Sequence, residues 1–213
     1  KRKALEEWNA STAYLRTVGN LLVATFFNGK KPKEREELKQ LYLAATLRHS
    51  SAKDLKNELA QALNRLCDGE KGIRPFHWEL AFPSVFRAGN SGFDVIVGNP
   101  PFTGGTKLSL LFGETYPAFL RERFVKSTGK GVDLVAFFLR RAWTLTAPGG
   151  TISLIATKVM SEGDTRKAGI MYILKNGGRI YSCQKRKAWP GSASVITSIA
   201  HLQKPPIQLK ALC

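Results

Sequence analysis

A short apolar segment at residues 93–98, with the sequence FDVIVG, constrains the fold of this chain more than any other part of the sequence. Its β-branched and almost continuously apolar character is typical of a strand that is buried on both faces. The pattern downstream predicts a helix, a strand, a second helix and two further strands, at residues 133–146, 151–157, 164–176, 179–183 and 194–202. This alternation, with an antiparallel strand at the end, predicts an α/β protein with an open sheet.

Turns are predicted at two places within this series. The sequence Pro148-Gly149-Gly150 ends the first helix before the strand that begins at residue 151. The last two strands are separated by a basic turn at residues 185–187 and by a Trp-Pro-Gly turn at residues 189–191. All three turns therefore lie outside the predicted strands.

The first 70 residues have a different character, because they are highly charged and carry apolar residues at helical spacing. Helices are predicted at residues 4–27 and 34–47, and a third begins at Ser51, where the sequence is close to a capping box. We therefore predict a helical segment at residues 1–71 and a separate α/β segment at residues 72–213.

The net charge of +17 favours a polyanion as the binding partner, although a basic surface that only faces solvent would carry the same charge. No apolar run approaches the roughly 20 residues that span a bilayer, and the chain does not open with a secretory signal pattern. The cysteines, Cys67, Cys183 and Cys213, lie far apart without metal-ligand spacing, so no metal site is predicted. These features favour a cytoplasmic location.

The run Asn99-Pro100-Pro101-Phe102, called here the Asn-Pro-Pro-Phe loop, begins where the strand at 93–98 ends. Ligands of open α/β sheets bind beyond the carboxyl ends of the strands, so a working loop is expected there. Two consecutive prolines make the loop stiff and fix its carbonyl groups. Asn99 adds a neutral side-chain acceptor, and Phe102 adds an aromatic face. Together they suit the binding of an aromatic amino group whose nitrogen would receive a methyl group. A base in a duplex must be flipped out to reach such a loop.

With its preceding strand, this loop resembles the catalytic motif of amino-group DNA methyltransferases, in particular the adenine-N6 branch. Further stretches resemble successive elements of the large bacterial restriction-modification and phage-defence enzymes, at residues 75–80, 82–86, 133–138, 148–150, 163–166 and 188–195. The resemblance implies the C-terminal half of a Rossmann-like class I S-adenosylmethionine-dependent methyltransferase sheet. Residues 72–213 would be the catalytic half and residues 1–71 a helical insert before the catalytic motif.

The resemblance also implies the roles of individual residues. Asn99, Pro100, Pro101 and Phe102 would be catalytic, and Phe102 and Trp189 would stack on the flipped base of double-stranded DNA. The methyl donor would be S-adenosyl-L-methionine, but a glycine-rich loop after a first strand is not found, and its binding residues are unknown. The sequence is therefore expected to be a fragment, inactive alone, whose sheet edge is covered by a missing N-terminal half or partner subunit.

Other interpretations remain open from the sequence. An RNA guanine-N2 or a protein-glutamine methyltransferase would carry a similar loop, and a non-catalytic DNA-binding fragment would share the basic charge. Trp189 could serve only in packing, and Asp133 could cap a helix rather than contact the cofactor or the loop. The basic clusters at residues 30–35 and 185–187 could bind DNA phosphates or simply face solvent.

Overall fold

The structure is a computed structural model that describes residues 2–68, 71–87, 91–124, 131–189 and 195–206. The chain divides into two compact units, Lys1–Pro83 and Ser84–Cys213. Each unit has its own hydrophobic core. We describe them separately.

The first unit is helical, as predicted. Its helices, numbered α1 to α6, are Arg2–Ser11, Ala13–Asn28, Pro32–Arg48, Ala52–Glu58, Ala60–Cys67 and Trp78–Ala81. The predicted cap at Ser51 is confirmed, because its hydroxyl accepts a hydrogen bond from the Asp54 N–H at 3.2 Å. The first and third predicted helices are each interrupted once, at Thr12 and at Leu59.

The segment before Pro83 packs against the helices of the first unit. The Trp8 indole N–H donates to the Leu80 carbonyl at 2.9 Å, and the His77 ring lies 2.9 Å from the side-chain oxygen of Asn20. The His77 ring also occupies the space that a Cβ atom would take at Gly19, with the nearest ring atom 2.5 Å from that position. The boundary between compact units therefore falls after Pro83, later than the predicted boundary after residue 71.

The second unit is an α/β structure. Its helices, α7 to α11, are Gly105–Phe112, Thr115–Phe124, Leu134–Leu145, Gly163–Ala168 and Ile170–Lys175. Its strands, β1 to β4, are Phe93–Gly98, Thr146–Thr157, Arg179–Ala188 and Ile196–Gln203, and a short 3-10 helix spans Lys158–Ser161. The prediction did not contain α7 and α8.

The four strands form one sheet in the order β1-β2-β4-β3. Strand β1 is parallel to β2, whereas β4 is antiparallel to both of its neighbours, β2 and β3. It follows that β3 runs parallel to β1. The predicted fold class, a Rossmann-like α/β sheet that includes an antiparallel strand, is confirmed, and the antiparallel strand lies inside the sheet.

Helices α9 and α11 cover one face of the sheet. The core on this face is built from apolar side chains of β2, β4 and the two helices, including Val135, Leu139, Ile152, Leu154, Ile173, Ala200 and Leu202. The opposite face is open: Val95 is 60% and Val97 74% exposed. The prediction that β1 is buried on both faces was therefore wrong, because none of the described helices of the second unit covers its second face.

Several element boundaries also differ from the prediction. Strand β2 begins directly after α9, so Pro148-Gly149-Gly150 forms a bend inside the strand, with Gly149 at φ 82°. The basic turn at residues 185–187 belongs to β3. The helix predicted at residues 164–176 is divided at Gly169, whose φ and ψ of −95° and −92° are not helical.

We predict that Gly169→Ala destabilises the second unit. An added Cβ atom would lie 2.9 Å from Leu139 Cδ1 and 3.3 Å from Ala136 Cα, so the contact between α9 and the break after α10 would have to shift. Overpacking of this kind costs about 1–3 kcal/mol, to be measured by urea denaturation. Gly131→Ala is the control, because its Cβ atom would have no neighbour within 4 Å. Equal stability of the two variants would contradict the prediction.

Candidate active site at the carboxyl edge of the sheet

The Asn-Pro-Pro-Phe loop follows β1 at the carboxyl edge of the sheet, as predicted. Asn99 is exposed and Pro100 is buried, whereas Pro101 is exposed and Phe102 is 40% exposed. The Asn99 side chain forms no hydrogen bond with any described residue. The loop therefore presents a neutral carboxamide and an aromatic ring to the outside, anchored by a buried proline.

Backbone hydrogen bonds fix the end of this loop. The Thr103 N–H donates to the Pro101 carbonyl at 3.1 Å, and the Thr103 carbonyl accepts from the Leu134 N–H at 3.1 Å. Leu134 is the first residue of α9. The loop is thus tied directly to the N-terminus of a helix whose first turn is buried in the core.

Asp133 completes this junction. Its carboxylate accepts from the Val135 N–H at 3.0 Å, and its own N–H donates to the Thr165 hydroxyl at 3.0 Å. Asp133 and Thr165 are 6% and 3% exposed. Burial raises the pKa of the Asp133 carboxyl, and the hydrogen bond from Val135 opposes that rise. Of the two roles left open by the sequence, the structure shows the helix cap.

Trp189 follows the last residue of β3. Its backbone N–H donates to the Val195 carbonyl at 2.9 Å, and its side chain is half-buried. Because β3 runs parallel to β1, Trp189 and the Asn-Pro-Pro-Phe loop lie at the same edge of the sheet. Within the described residues the Trp189 and Phe102 rings are not in contact. The rest of the predicted Trp-Pro-Gly turn, residues 190–194, lies outside the described residues.

A polar pair that the sequence analysis missed lies on the open face of the sheet. The Ser153 hydroxyl is 2.9 Å from His201 Nδ1, and the Tyr181 ring centroid is 5.8 Å from that of His201. Ser153 and His201 are direct partners in the register of β2 and β4. No local sequence signal joins them, because their proximity follows from the pairing of two strands.

A cleft of about 160 Å³ lies on the helical side of the second unit, lined by Arg123, Phe124, Arg140, Arg141, Thr144 and Tyr172. The Arg140 guanidinium stacks on the Tyr172 ring, 3.2 Å from its centroid. The α9 residues of this cleft lie in the second half of the helix, whereas the Asn-Pro-Pro-Phe loop is tied to its first turn. The cleft is therefore separate from the candidate active site.

The described residues do not fit a complete S-adenosylmethionine site. No described strand precedes β1, so the glycine-rich loop that follows a first strand has no counterpart in this part of the chain. Gly104 lies after β1, at the N-cap of α7. Residues 129 and 130 of a further glycine-containing stretch, Gly129-Lys130-Gly131, lie outside the described residues. In the described ranges there is also no group of three His, Cys, Asp or Glu that could hold a metal ion.

None of the helices that the structure describes combines the length and the apolar character needed to cross a membrane. The longest, α3, has 17 residues and carries charged side chains throughout its first half. A bilayer-spanning helix needs roughly 20 mostly apolar residues.

The sequence model of one protein family, described as Eco57I restriction-modification methylase, matches residues 13–178. No curated protein matches the chain. The Type IIL restriction-modification enzyme MmeI, solved in complex with DNA, is 17% identical with a TM-score of 0.48, and the match covers 73% of this chain and 22% of MmeI. A Listeria monocytogenes protein described as a class I S-adenosylmethionine-dependent methyltransferase is 14% identical with a TM-score of 0.37, covering 94% of this chain and 90% of that one.

We predict that Asp133→Asn removes a pH dependence of stability. Because the pKa of Asp133 is raised in the folded state, the folded chain retains this proton to higher pH than the unfolded chain does. The free energy of unfolding therefore falls as the pH rises from the ordinary pKa of the group through its raised value. Asparagine keeps a neutral acceptor for the Val135 N–H and cannot ionise, so the variant should lose that fall.

The measurement is urea denaturation of both proteins between about pH 4 and pH 7. Asp133→Ala is the control that removes the cap: it should also lose the fall with pH, and it should be about 1 kcal/mol less stable than Asp133→Asn at every pH. An identical pH dependence in the wild type and in Asp133→Asn would contradict the assignment of Asp133 as the titrating group.

Proposed function

The chain belongs to the Eco57I restriction-modification methylase family, and on that premise we propose that it acts in site-specific methylation of DNA at adenine N6. The observation that carries the proposal is the exposed Asn-Pro-Pro-Phe loop, which follows β1 at the carboxyl edge of the sheet. The setting would be a restriction-modification or phage-defence system. A cytoplasmic location, where such systems meet DNA, is part of the proposal.

Neutral hydrogen-bond acceptors are the main chemical contribution of the loop. An adenine amino group donates two N–H bonds, and its lone pair is delocalised into the ring. We propose that the Asn99 side-chain oxygen and the Pro100 carbonyl accept these two N–H bonds, which favours a lone pair localised on nitrogen. The exposure of Asn99 and its lack of a hydrogen bond to any described residue support this role. The burial of Pro100 supports a fixed carbonyl beside it.

Aromatic stacking is the second contribution. A flipped base loses its stacking partners in the duplex, and each stack on an aromatic side chain recovers about 1–3 kcal/mol. Phe102 is partly exposed within the loop and is proposed as one such ring. Trp189, which lies at the same sheet edge without touching Phe102, is proposed as the second.

S-adenosyl-L-methionine is the methyl donor in methylation by this family. Since the described residues do not fit a complete site for it, we propose that further polypeptide, either a preceding segment or a partner subunit, supplies the rest. The open face and free edge of β1 support this. Val95 and Val97 expose apolar surface there, which a covering strand and helix would bury. The 213-residue chain alone is then proposed to be inactive.

The test is transfer of radiolabel from S-adenosylmethionine to duplex DNA, by the chain alone and by the chain mixed with the cofactor-binding half of a family member. We expect label only in the mixture, on N6-methyladenine when the DNA is digested to nucleosides. Asn99→Ala should reduce the rate by about 100-fold or more, the scale seen when a preorganised polar group at a reacting centre is removed. Asn57→Ala, an exposed asparagine on α4, is the matched control.

The identity of the product separates the alternatives. Label on cytosine N4 would contradict the adenine assignment. Label on structured RNA or on a glutamine side chain would identify one of the other enzymes that use a similar loop. Label from the chain alone would contradict the proposed need for further polypeptide and would reveal a donor site within this chain.

A second prediction concerns the open face of the sheet. Val97→Asp should cost the isolated chain no more than about 1 kcal/mol, the span of strand propensities, because the Val97 side chain is 74% exposed. It should nevertheless prevent restoration of activity by the cofactor-binding half, because a carboxylate would be buried without a partner. Leu47→Asp, at a 90% exposed position on α3, is the control. Activity of this variant should be restored by the cofactor-binding half as it is for the unmodified chain. Full activity of the Val97→Asp mixture would overturn the assignment of this face.

A further inference from the structure

The C-terminal part of the chain lacks acidic residues. From residue 165 to the end there is no Asp or Glu, but there are nine basic residues: Arg166, Lys167, Lys175, Arg179, Lys185, Arg186, Lys187, Lys204 and Lys210. Three of these are consecutive, Lys185, Arg186 and Lys187, and we call them the basic bulge. All three are exposed. None of the three residues of the basic bulge forms an ion pair with another described residue.

The backbone of the basic bulge is irregular. In the pairing of β3 with β4, Gln184 is opposite Ile199 and Lys187 is opposite Thr197, so two residues of β3 face the single residue between them, Ser198. Arg186 has φ 53°, and it is the one residue other than glycine with a positive φ in the described ranges. Such a conformation is uncommon for a residue with a Cβ atom and is often found at functional sites.

Buried side chains of β4 hold the bulge in place. The Thr197 hydroxyl donates to the Lys187 carbonyl at 3.0 Å, and the Ser198 hydroxyl accepts from the Arg186 N–H at 3.5 Å. Thr197 and Ser198 are 4% and 6% exposed. The three cationic side chains therefore project from a fixed piece of backbone.

The bulge lies at the same edge of the sheet as the candidate active site. Strand β3 is parallel to β1 and is separated from it by β2 and β4, so the lateral distance is three strand spacings, about 14 Å. In the strand register, Lys187 pairs with Thr197, which in turn pairs with Thr157 on β2. Gly98 at the end of β1 pairs with Leu154, three residues earlier on β2. The bulge thus stands three residues, about 10 Å, beyond the end of β1.

We infer that the basic bulge binds the phosphate backbone of the DNA whose base enters the candidate active site, an inference that rests on the proposed function. The lateral and axial offsets combine to about 17 Å, about half of one DNA turn of about 34 Å, so the phosphates concerned flank the target base. Among the described residues, no carboxylate lies within 4.0 Å of its three cations to neutralise them. Phosphate contacts position a protein on DNA without reading sequence, which suits a fixed row of cations.

Charges on an edge strand also discourage pairing with other sheets, and that role alone would need no DNA. Two observations favour the DNA interpretation. The cations are concentrated at the carboxyl end of β3, where the substrate is expected, whereas its amino half carries only Arg179. The three cations also have no ion-pair partner among the described residues, so they are available to phosphate groups.

The test is binding of the 213-residue chain to a fluorescein-labelled 20-base-pair duplex, measured by anisotropy at several salt concentrations. Each phosphate contact contributes about 0.9 to the slope of log K against log salt concentration. The variant Lys185→Gln/Arg186→Asn/Lys187→Gln should therefore lower the slope by about 2.7. Between 50 and 200 mM salt, the wild type should lose about 40-fold more affinity than the variant does. Asparagine is chosen at residue 186 because it tolerates a positive φ.

A charge-matched control removes three cations that already lie within 4.0 Å of glutamates and outside both basic clusters, as Arg2→Ala/Lys3→Ala/Lys39→Ala. Its slope should match that of the wild type. A variant that keeps the charge, Lys185→Arg/Arg186→Lys/Lys187→Arg, should also keep the slope, and a loss there would mean that the effect comes from altered folding and would overturn the inference.

An unchanged slope in the neutral variant would overturn the inference, as would wild-type binding that does not respond to salt. Equal losses in the neutral variant and in the charge-matched control would overturn it too, because net charge alone would then explain binding. None of these results bears on the proposed function, which is tested by transfer of label to adenine and its dependence on Asn99.

Discussion

The buried N-terminus of α9 is the constraint on which the candidate active site depends. A helix leaves its first N–H groups without partners inside the helix, and burial makes an unpaired group costly. Here the Leu134 N–H is satisfied by the Thr103 carbonyl and the Val135 N–H by the Asp133 carboxylate. The first of these acceptors is the residue that follows the Asn-Pro-Pro-Phe loop. The hydrogen bond that satisfies the first N–H group of α9 therefore also fixes the position of the Asn-Pro-Pro-Phe loop.

This junction extends to α10 through one hydroxyl. Thr165 accepts from the Asp133 N–H while being almost fully buried, so α9, α10 and the loop meet at a single point. A carboxylate in this setting carries a cost, because burial raises its pKa, and the capping bond recovers part of that cost. The junction also holds the end of the loop in a fixed position, and a site that relies on positioned neutral acceptors requires such a fixed position.

Features set by local sequence could be predicted, and features set by tertiary pairing could not. The Ser51 cap, the Asp133 cap, β1 and the position of the loop all follow from residues close together in the sequence. The strand order, by contrast, places β4 between β2 and β3, and nothing local to β4 specifies that. The basic residues at 185–187 resemble a turn in sequence, yet Thr197 and Ser198 hold them inside β3 as a bulge.

The exposure of β1 has the same explanation. A continuous apolar strand pattern reports the surroundings in which the strand is stable, and these can include polypeptide beyond the described residues. Val95 and Val97 point to the face that α9 and α11 do not cover, while Ile96 between them packs into the core. The pattern thus contains information about two faces, and the described residues of the second unit cover one of them.

A neutral residue at position 99 suits the charge of the chain. With a net charge of +17 and the basic bulge at the same sheet edge, an exposed carboxylate would attract lysine or arginine side chains and cations from solution. An ion-paired oxygen has fewer lone-pair directions free for the N–H groups of a base. A carboxamide offers a carbonyl of similar position without drawing a counter-ion. Under the proposed function, the sheet edge would hold phosphates by charge at the end of β3 and an amino group by neutral acceptors at the end of β1.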